Sequence, residues 1–283
     1  MTASVFAAAL LSALLHVCWN SLAKASSAPR DLPIGISLAT SSLCVLAVPF
    51  VSLPPAASLP WILASTICNV VFLHALTEAY ARSEFGVAYA IVRAVVPPVM
   101  FVVGWLFLKE PGRFGAGVGL AFVIASLVLF ACARRQFWEV KGYGLSASIV
   151  AGLALAFALL FDVKGIRTGG SGFANLMRYS VASSLATATA LTIMASFKRT
   201  NSIEPIRGNI KLCYVGASLL LLSYVSGMWA YSQGPIGLVA PLRESGILFG
   251  GIVGVVVLRE RISRLQWVAM MLATVGIILV QFA

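Results

Sequence analysis

The sequence predicts an all-α integral membrane protein of ten transmembrane helices, arranged as two inverted five-helix repeats. Three observations carry that prediction. First, the 283 residues are 60% hydrophobic and 10% charged, against about 25% charged in a soluble domain, and the mean hydropathy is +0.98. Second, apolar runs of about 17–24 residues recur along the whole chain, each long enough to cross a hydrocarbon core of about 30 Å as a helix. Third, residues in the two halves match at a nearly constant spacing.

Charges, glycines and prolines mark the loops between spans. The first span, about 4–23, ends at Lys24, and no positively charged segment precedes Val5, so it reads as an uncleaved helix rather than a signal peptide. The second, about 33–52, lies between Arg30-Asp31 and Pro54-Pro55, and the third, about 59–80, stops at Arg82. The fourth, about 86–108, runs to Lys109-Glu110, and the fifth, about 113–132, to Arg134-Arg135. The sixth, about 143–163, ends at Lys164, and the seventh, about 174–196, at Lys198-Arg199. The eighth, about 210–232, precedes Gly234-Pro235. The ninth, about 236–258, ends at Arg259-Glu260-Arg261, and the tenth covers about 262–282.

Arg93 and Arg243 are 150 residues apart, as are Gly104 and Gly254, Leu108 and Leu258, and Glu110 and Glu260. Slightly upstream the offset becomes 151, matching Ala79-Tyr80 with Ala230-Tyr231 and Gly86 with Gly237. Lys24 and Lys164 each follow an apolar span. The chain therefore divides into residues 1–137 and 138–283. Five is an odd number, so the second repeat enters the membrane from the opposite side, the architecture of transporters that alternate access to a midplane site.

The segments "EFGVAYAIVRAVVPPVMFVVGWLFLKEP" and "PIGLVAPLRESGILFGGIVGVVVLRERISRLQWVAMMLATVGIILV" resemble the ends of the two EamA repeats of the drug/metabolite transporter superfamily. "LLSALLHVCWNSLAK" resembles the first helix of one EamA subgroup. The resemblance covers essentially the whole chain. It implies a ten-helix secondary transporter of small organic metabolites.

Other function classes fare poorly. The 20 Lys and Arg exceed the 9 Asp and Glu, giving a formal net charge of +11, but most of these cations fall in short loops, where anionic lipid headgroups explain them better than nucleic acid does. Cys18, Cys44, Cys68, Cys132 and Cys213 form no CxxC pair and only two His are present, so no disulfide framework, metal site or cofactor is expected. No GxxxxGK[ST], HExxH or GxSxG occurs, which argues against an ATPase or an enzyme. An intramembrane enzyme acting on a phosphate-bearing lipid is the alternative, and an inverted repeat speaks against it.

Ionisable groups inside spans cost roughly 2.5–3.5 kcal/mol each at a helix centre, so they are candidates for function. Arg93 lies about 10 Å into its span, and Pro97 and Pro98 leave the Arg93 and Ala94 carbonyls without donors. It either lines a cavity or clamps a carboxylate. Arg243 and Glu244 are adjacent and point about 100° apart on a helix, so each needs its own partner. If that helix starts near Pro241, Glu244 suits its positive end, and Arg243 there needs a carboxylate or an anionic substrate. His74 and Glu78 are spaced i, i+4 and can share a face, with Glu78 a further partner for either arginine or a proton carrier. His16, Trp19 and Asn20 share a face of the first helix. Asp162 and Arg178 lie near span ends and read as snorkelling to headgroups. Gly115xxxGly119 and Gly250xxxGly254 read as helix-packing patterns.

The expected partners are thus a small-molecule substrate, with the two deep arginines favouring an anion, membrane lipids, and protons as a coupling ion. The expected location is the cell membrane, as in a bacterial inner membrane. Orientation divides two arguments. Loops after odd-numbered spans hold 13 of the 17 cations outside the spans, which places both termini outside, whereas the resemblance implies both inside.

Overall fold

The computed structural model describes residues 1–26, 32–83, 85–107, 109, 114–133, 142–170, 172–198, 208–246, 248–249, 252 and 263–282. Among these, ten α-helices form: α1 (Ala3–Ala25), α2 (Leu32–Ala47), α3 (Leu59–Arg82), α4 (Phe85–Phe107) and α5 (Phe114–Cys132), then α6 (Tyr143–Thr168), α7 (Phe173–Lys198), α8 (Ile210–Gln233), α9 (Ile236–Arg243) and α10 (Arg264–Phe282). Four helical stretches, Ala3–Leu22, Ala56–Ala79, Tyr143–Thr168 and Ile210–Gln233, are long and apolar enough to cross a membrane. Four more are apolar but shorter, at Gly35–Phe50, Ala90–Leu106, Phe114–Phe130 and Arg264–Val280.

The surface and interior are sorted as a bilayer demands. Large apolar side chains such as Leu46, Leu63, Trp105, Leu222 and Met271 are exposed, while the buried helix faces carry small residues such as Ala9, Ala13, Ala151, Ala156, Ala217 and Ala269. Lipid tails are as apolar as leucine, so close backbone approach through small residues, rather than burial of bulk, holds the bundle together. The closest such approach joins α5 to α10. A Cβ on Gly119 would lie 2.8 Å from the Gly276 carbonyl oxygen, and one on Gly276 would lie 2.8 Å from that of Gly119. Gly119 of the first small-residue pattern thus packs inside the bundle; Gly250 and Gly254 of the second lie outside the described residues.

The most extensive helix pairings repeat when every number is shifted by five. α1 against α8 becomes α6 against α3, α4 on α6 becomes α9 on α1, α2 on α8 becomes α7 on α3, and α4 on α5 becomes α9 on α10. The pairs α2–α7, α4–α9 and α5–α10 map onto themselves. α3 and α6 run antiparallel. Ser58, before α3, donates to the Gly165 carbonyl near the end of α6 (2.9 Å), and the Arg82 guanidinium ending α3 lies 4.6 Å from the ring centroid of Tyr143, which begins α6. α1 and α8 are antiparallel too, with Gly234 beside Val5. They are fastened midway by a reciprocal pair: Ser12 Oγ donates to the Ser223 carbonyl (2.7 Å) and Ser223 Oγ to the Ser12 carbonyl (2.8 Å).

The ninth span departs from expectation. Its helix starts at Ile236, after Pro235, rather than near Pro241, and Pro241 lies inside it. Proline cannot donate to the Gly237 carbonyl. Three residues on the winding tightens, with Glu244 N–H bonding the Pro241 carbonyl (3.1 Å) and Ser245 N–H that of Leu242 (3.0 Å). These i to i−3 bonds close α9 after eight residues, about 12 Å of rise. The next bonds, from Leu248 (2.9 Å) and Phe249 (3.4 Å) to the Ser245 carbonyl, begin a new turn. The helix is interrupted at Glu244 and Ser245.

Candidate functional site

The break in α9 faces α4, α1 and α8. Arg93 of α4 reaches across, its Nε donating to Glu244 Oε2 at 2.9 Å and an Nη to the Arg243 carbonyl at 3.3 Å. That carbonyl lies at the end of α9, so the arginine bridges a carboxylate and a helix C-terminus. Glu244 is 3% exposed and Arg93 8%. The match between Arg93 and Arg243 therefore hides a difference. After Arg93 come Ala94, Val95 and Val96, and α4 continues through Pro97 and Pro98 to Phe107. After Arg243 come Glu244, Ser245 and Gly246, polar and small residues at which helices break.

Arg243 sits at the C-terminal, negative end of α9. The dipole there favours its charge, the reverse of the expectation that placed it at a helix start. Its guanidinium lies flat against α8. A Cβ on Gly227 would stand 3.0 Å from Arg243 Cζ, so only glycine leaves this space, and Cζ lies 5.5 Å from the Tyr231 ring centroid. Arg243 is 7% exposed. Glu244 is taken by Arg93, and Arg243 Nε has no hydrogen-bond partner among the described residues. Two buried arginines and one carboxylate leave one positive charge in excess.

His16 of α1 faces the same place, within electrostatic reach of Arg93 and Arg243. Its Nδ1 accepts from Trp19 Nε1 at 3.3 Å, with the rings edge to face at 5.1 Å, and Asn20 donates to the His16 carbonyl at 2.7 Å. Trp19 itself packs toward the cluster of Leu32, Ile36 and Cys213 between α2 and α8. The structure thus gathers His16, Arg93, Arg243 and Glu244, with Trp19 and Asn20 one layer behind.

Glu78 and His74 do not join them. Glu78 pairs with Arg82 one turn along its own helix, at 3.3 Å, and does not partner Arg93 or Arg243. His74 is on an exposed face of α3. Asp162 also departs from expectation: it is 2% exposed and bonded to tyrosine hydroxyls from two other helices, not snorkelling to headgroups. Arg167, unremarked in the sequence, caps α8 by donating to the Tyr231 and Gly234 carbonyls, both at 2.7 Å.

Residues 142–282, from α6 to α10, match the model of the EamA-like transporter family. No curated protein matches the sequence. A solved crystal structure, described only as that of a protein, superposes with a TM-score of 0.77 at 17% identity, covering 99% of each chain, a likeness of fold. The apolar spans, the helical architecture and the family match agree: the chain is a multi-pass membrane protein and belongs to the EamA-like transporter family.

Proposed function

We propose that the protein is a secondary transporter that carries a small anionic organic metabolite across the cell membrane, by alternating access between inverted halves at 1–137 and 138–283. One observation carries the anion: Arg243, buried where α9 stops, has no carboxylate paired with its guanidinium and no hydrogen-bond partner at Nε among the described residues. A charge so placed is costly without a counter-charge, and a substrate carboxylate or phosphate supplies one through the planar guanidinium fork. Broken helices near the midplane are where such transporters hold substrate. The five-step shift in helix pairing supports two structurally related halves, and the antiparallel α1–α8 and α3–α6 pairs suit their inversion. In this reading Arg93 and Glu244 brace the break, His16 and Asn20 line the approach from α1, and Tyr231 backs the guanidinium.

Proteoliposome flux tests the proposal. Arg243→Ala abolishes substrate-dependent uptake or efflux while membrane expression stays near the wild-type level, and Arg243→Lys does not restore it, because lysine lacks the fork. Full flux in Arg243→Ala removes Arg243 from the site.

A further inference from the structure

Asp162 is the second ionisable group sealed inside the bundle, and its surroundings differ in kind. It projects from α6, about 9 Å before that helix ends. Tyr179 of α7 donates to Oδ1 at 3.1 Å and Ser183 of the same helix at 3.4 Å. Tyr224 of α8 donates to Oδ2 at 3.0 Å, and Ser65 of α3 adds a further hydroxyl bond. A Cβ on Gly165 would fall within the Tyr179 ring, so that glycine is what allows the ring to lie along α6 and point its hydroxyl at the carboxylate.

Among the described residues the groups that reach Asp162 from α3, α7 and α8 are neutral, and α4, which also packs on α6, brings no charged group to it. The neutral groups are Ser65 and the Cys68 thiol on α3, Tyr179 and Ser183 on α7, and Tyr224 on α8. On its own helix Lys164 is exposed and Arg167 is spent on the end of α8. No salt bridge to Asp162 occurs among the described residues. Buried charges are usually paired with an opposite charge. Hydroxyls are different partners, because each can donate to an ionised carboxylate or accept from a protonated one. The same four groups therefore satisfy Asp162 in either state with only rotation of O–H bonds.

We propose that Asp162 is the site where this transporter takes up and releases the proton that drives its substrate. The proposal rests on the transport reading above. In the step, a proton from water adds to an Asp162 carboxylate oxygen on one side of the membrane and returns to water on the other; the new O–H donates to a tyrosine or serine oxygen that previously donated to it. α8 carries the linkage. Tyr224, which holds Asp162, and Tyr231, which backs Arg243, are seven residues apart, two turns along nearly the same face. A change at one tyrosine reaches the other through a single rigid helix.

Two measurements on the full-length protein test this. Infrared difference spectra over a pH titration need no substrate: as pH falls, the wild type shows one protonated-carboxyl component above the pH range of the exposed carboxylates, and that component is missing in Asp162→Asn, which keeps the signal of the other carboxyl groups. Identical pH-dependent carboxyl spectra in the wild type and Asp162→Asn overturn the proposal. In proteoliposomes, a pH gradient drives accumulation by the wild type, while Asp162→Asn loses accumulation and keeps substrate-for-substrate exchange. Gradient-driven accumulation by Asp162→Asn, or dependence of the wild type on sodium in place of the pH gradient, also overturns it. Absence of all flux in the wild type defeats the transport reading instead, and the infrared band separates that failure from failure of the proton site.

Discussion

The protein buries charge in two places and treats it in opposite ways. At the α9 break, Arg93, Arg243 and Glu244 are joined by an ion pair and a helix end, with one positive charge in excess. Between α3, α6, α7 and α8, one negative charge is held, among the described residues, by hydroxyls. Each centre depends on a glycine that lets a flat group lie against a helix, Gly227 under the Arg243 guanidinium and Gly165 under the Tyr179 ring. The contrast teaches that burial alone does not reveal a residue's task. The chemistry of its partners does: charge on charge fixes a geometry, whereas hydroxyls around a carboxylate tolerate two protonation states.

Stability should separate the two centres most sharply. Glu244→Gln leaves two buried guanidinium groups without a counter-charge, and we expect a loss of about 3–5 kcal/mol. Arg93→Ala breaks the ion pair but leaves Glu244 within reach of Arg243, so its cost falls between those of Glu244→Gln and Arg243→Ala. Arg243→Ala removes the excess cation and breaks no ion pair among the described residues, so its cost stays below about 2 kcal/mol, the scale of its contact with Tyr231. Unfolding followed in detergent checks the order; equal losses for Arg93→Ala and Arg243→Ala would erase the distinction between brace and spare charge. Asp162→Asn preserves the shape and the accepting oxygen, so its effect stays within about 1 kcal/mol. A loss as large as that of Glu244→Gln would make Asp162 a structural anchor. The smallest effect belongs to the half-exposed pair on α3, where Glu78→Gln changes stability by less than about 0.5 kcal/mol.

Sequence reasoning reached the helix positions and the pairing-prone arginines because hydropathy and depth are properties of chain order. A run of twenty apolar residues has little choice but to span, and an arginine seven residues inside one cannot reach water. Rotation about the helix axis is not encoded that way. Glu78 lies inside the third span near its end, and its helix turns it toward Arg82. Asp162 looked like an end residue because its span was drawn to close at Lys164, and α6 in fact continues to Thr168. The signal that was available lay on α7, where Tyr179 and Ser183 sit one turn apart and present two hydroxyls to one side. The α9 break was half legible: Pro241 was read as a helix start, while the sequence Arg243-Glu244-Ser245-Gly246 carried the stop.

The central claim is that Arg243 receives the anionic group of a small metabolite. It is tested most directly by thermal unfolding of purified protein against matched sets of carboxylates and phosphates, their uncharged amides and esters, and amines. Binding to the native state raises its stability by about 2.7 kcal/mol at a ligand concentration about 100 times Kd. The account predicts that one or more anions raise the Tm of the wild type, that their uncharged counterparts do not, and that the shift disappears in Arg243→Ala. Stabilisation by uncharged or cationic compounds alone, or an undiminished shift with the anions in Arg243→Ala, would contradict it.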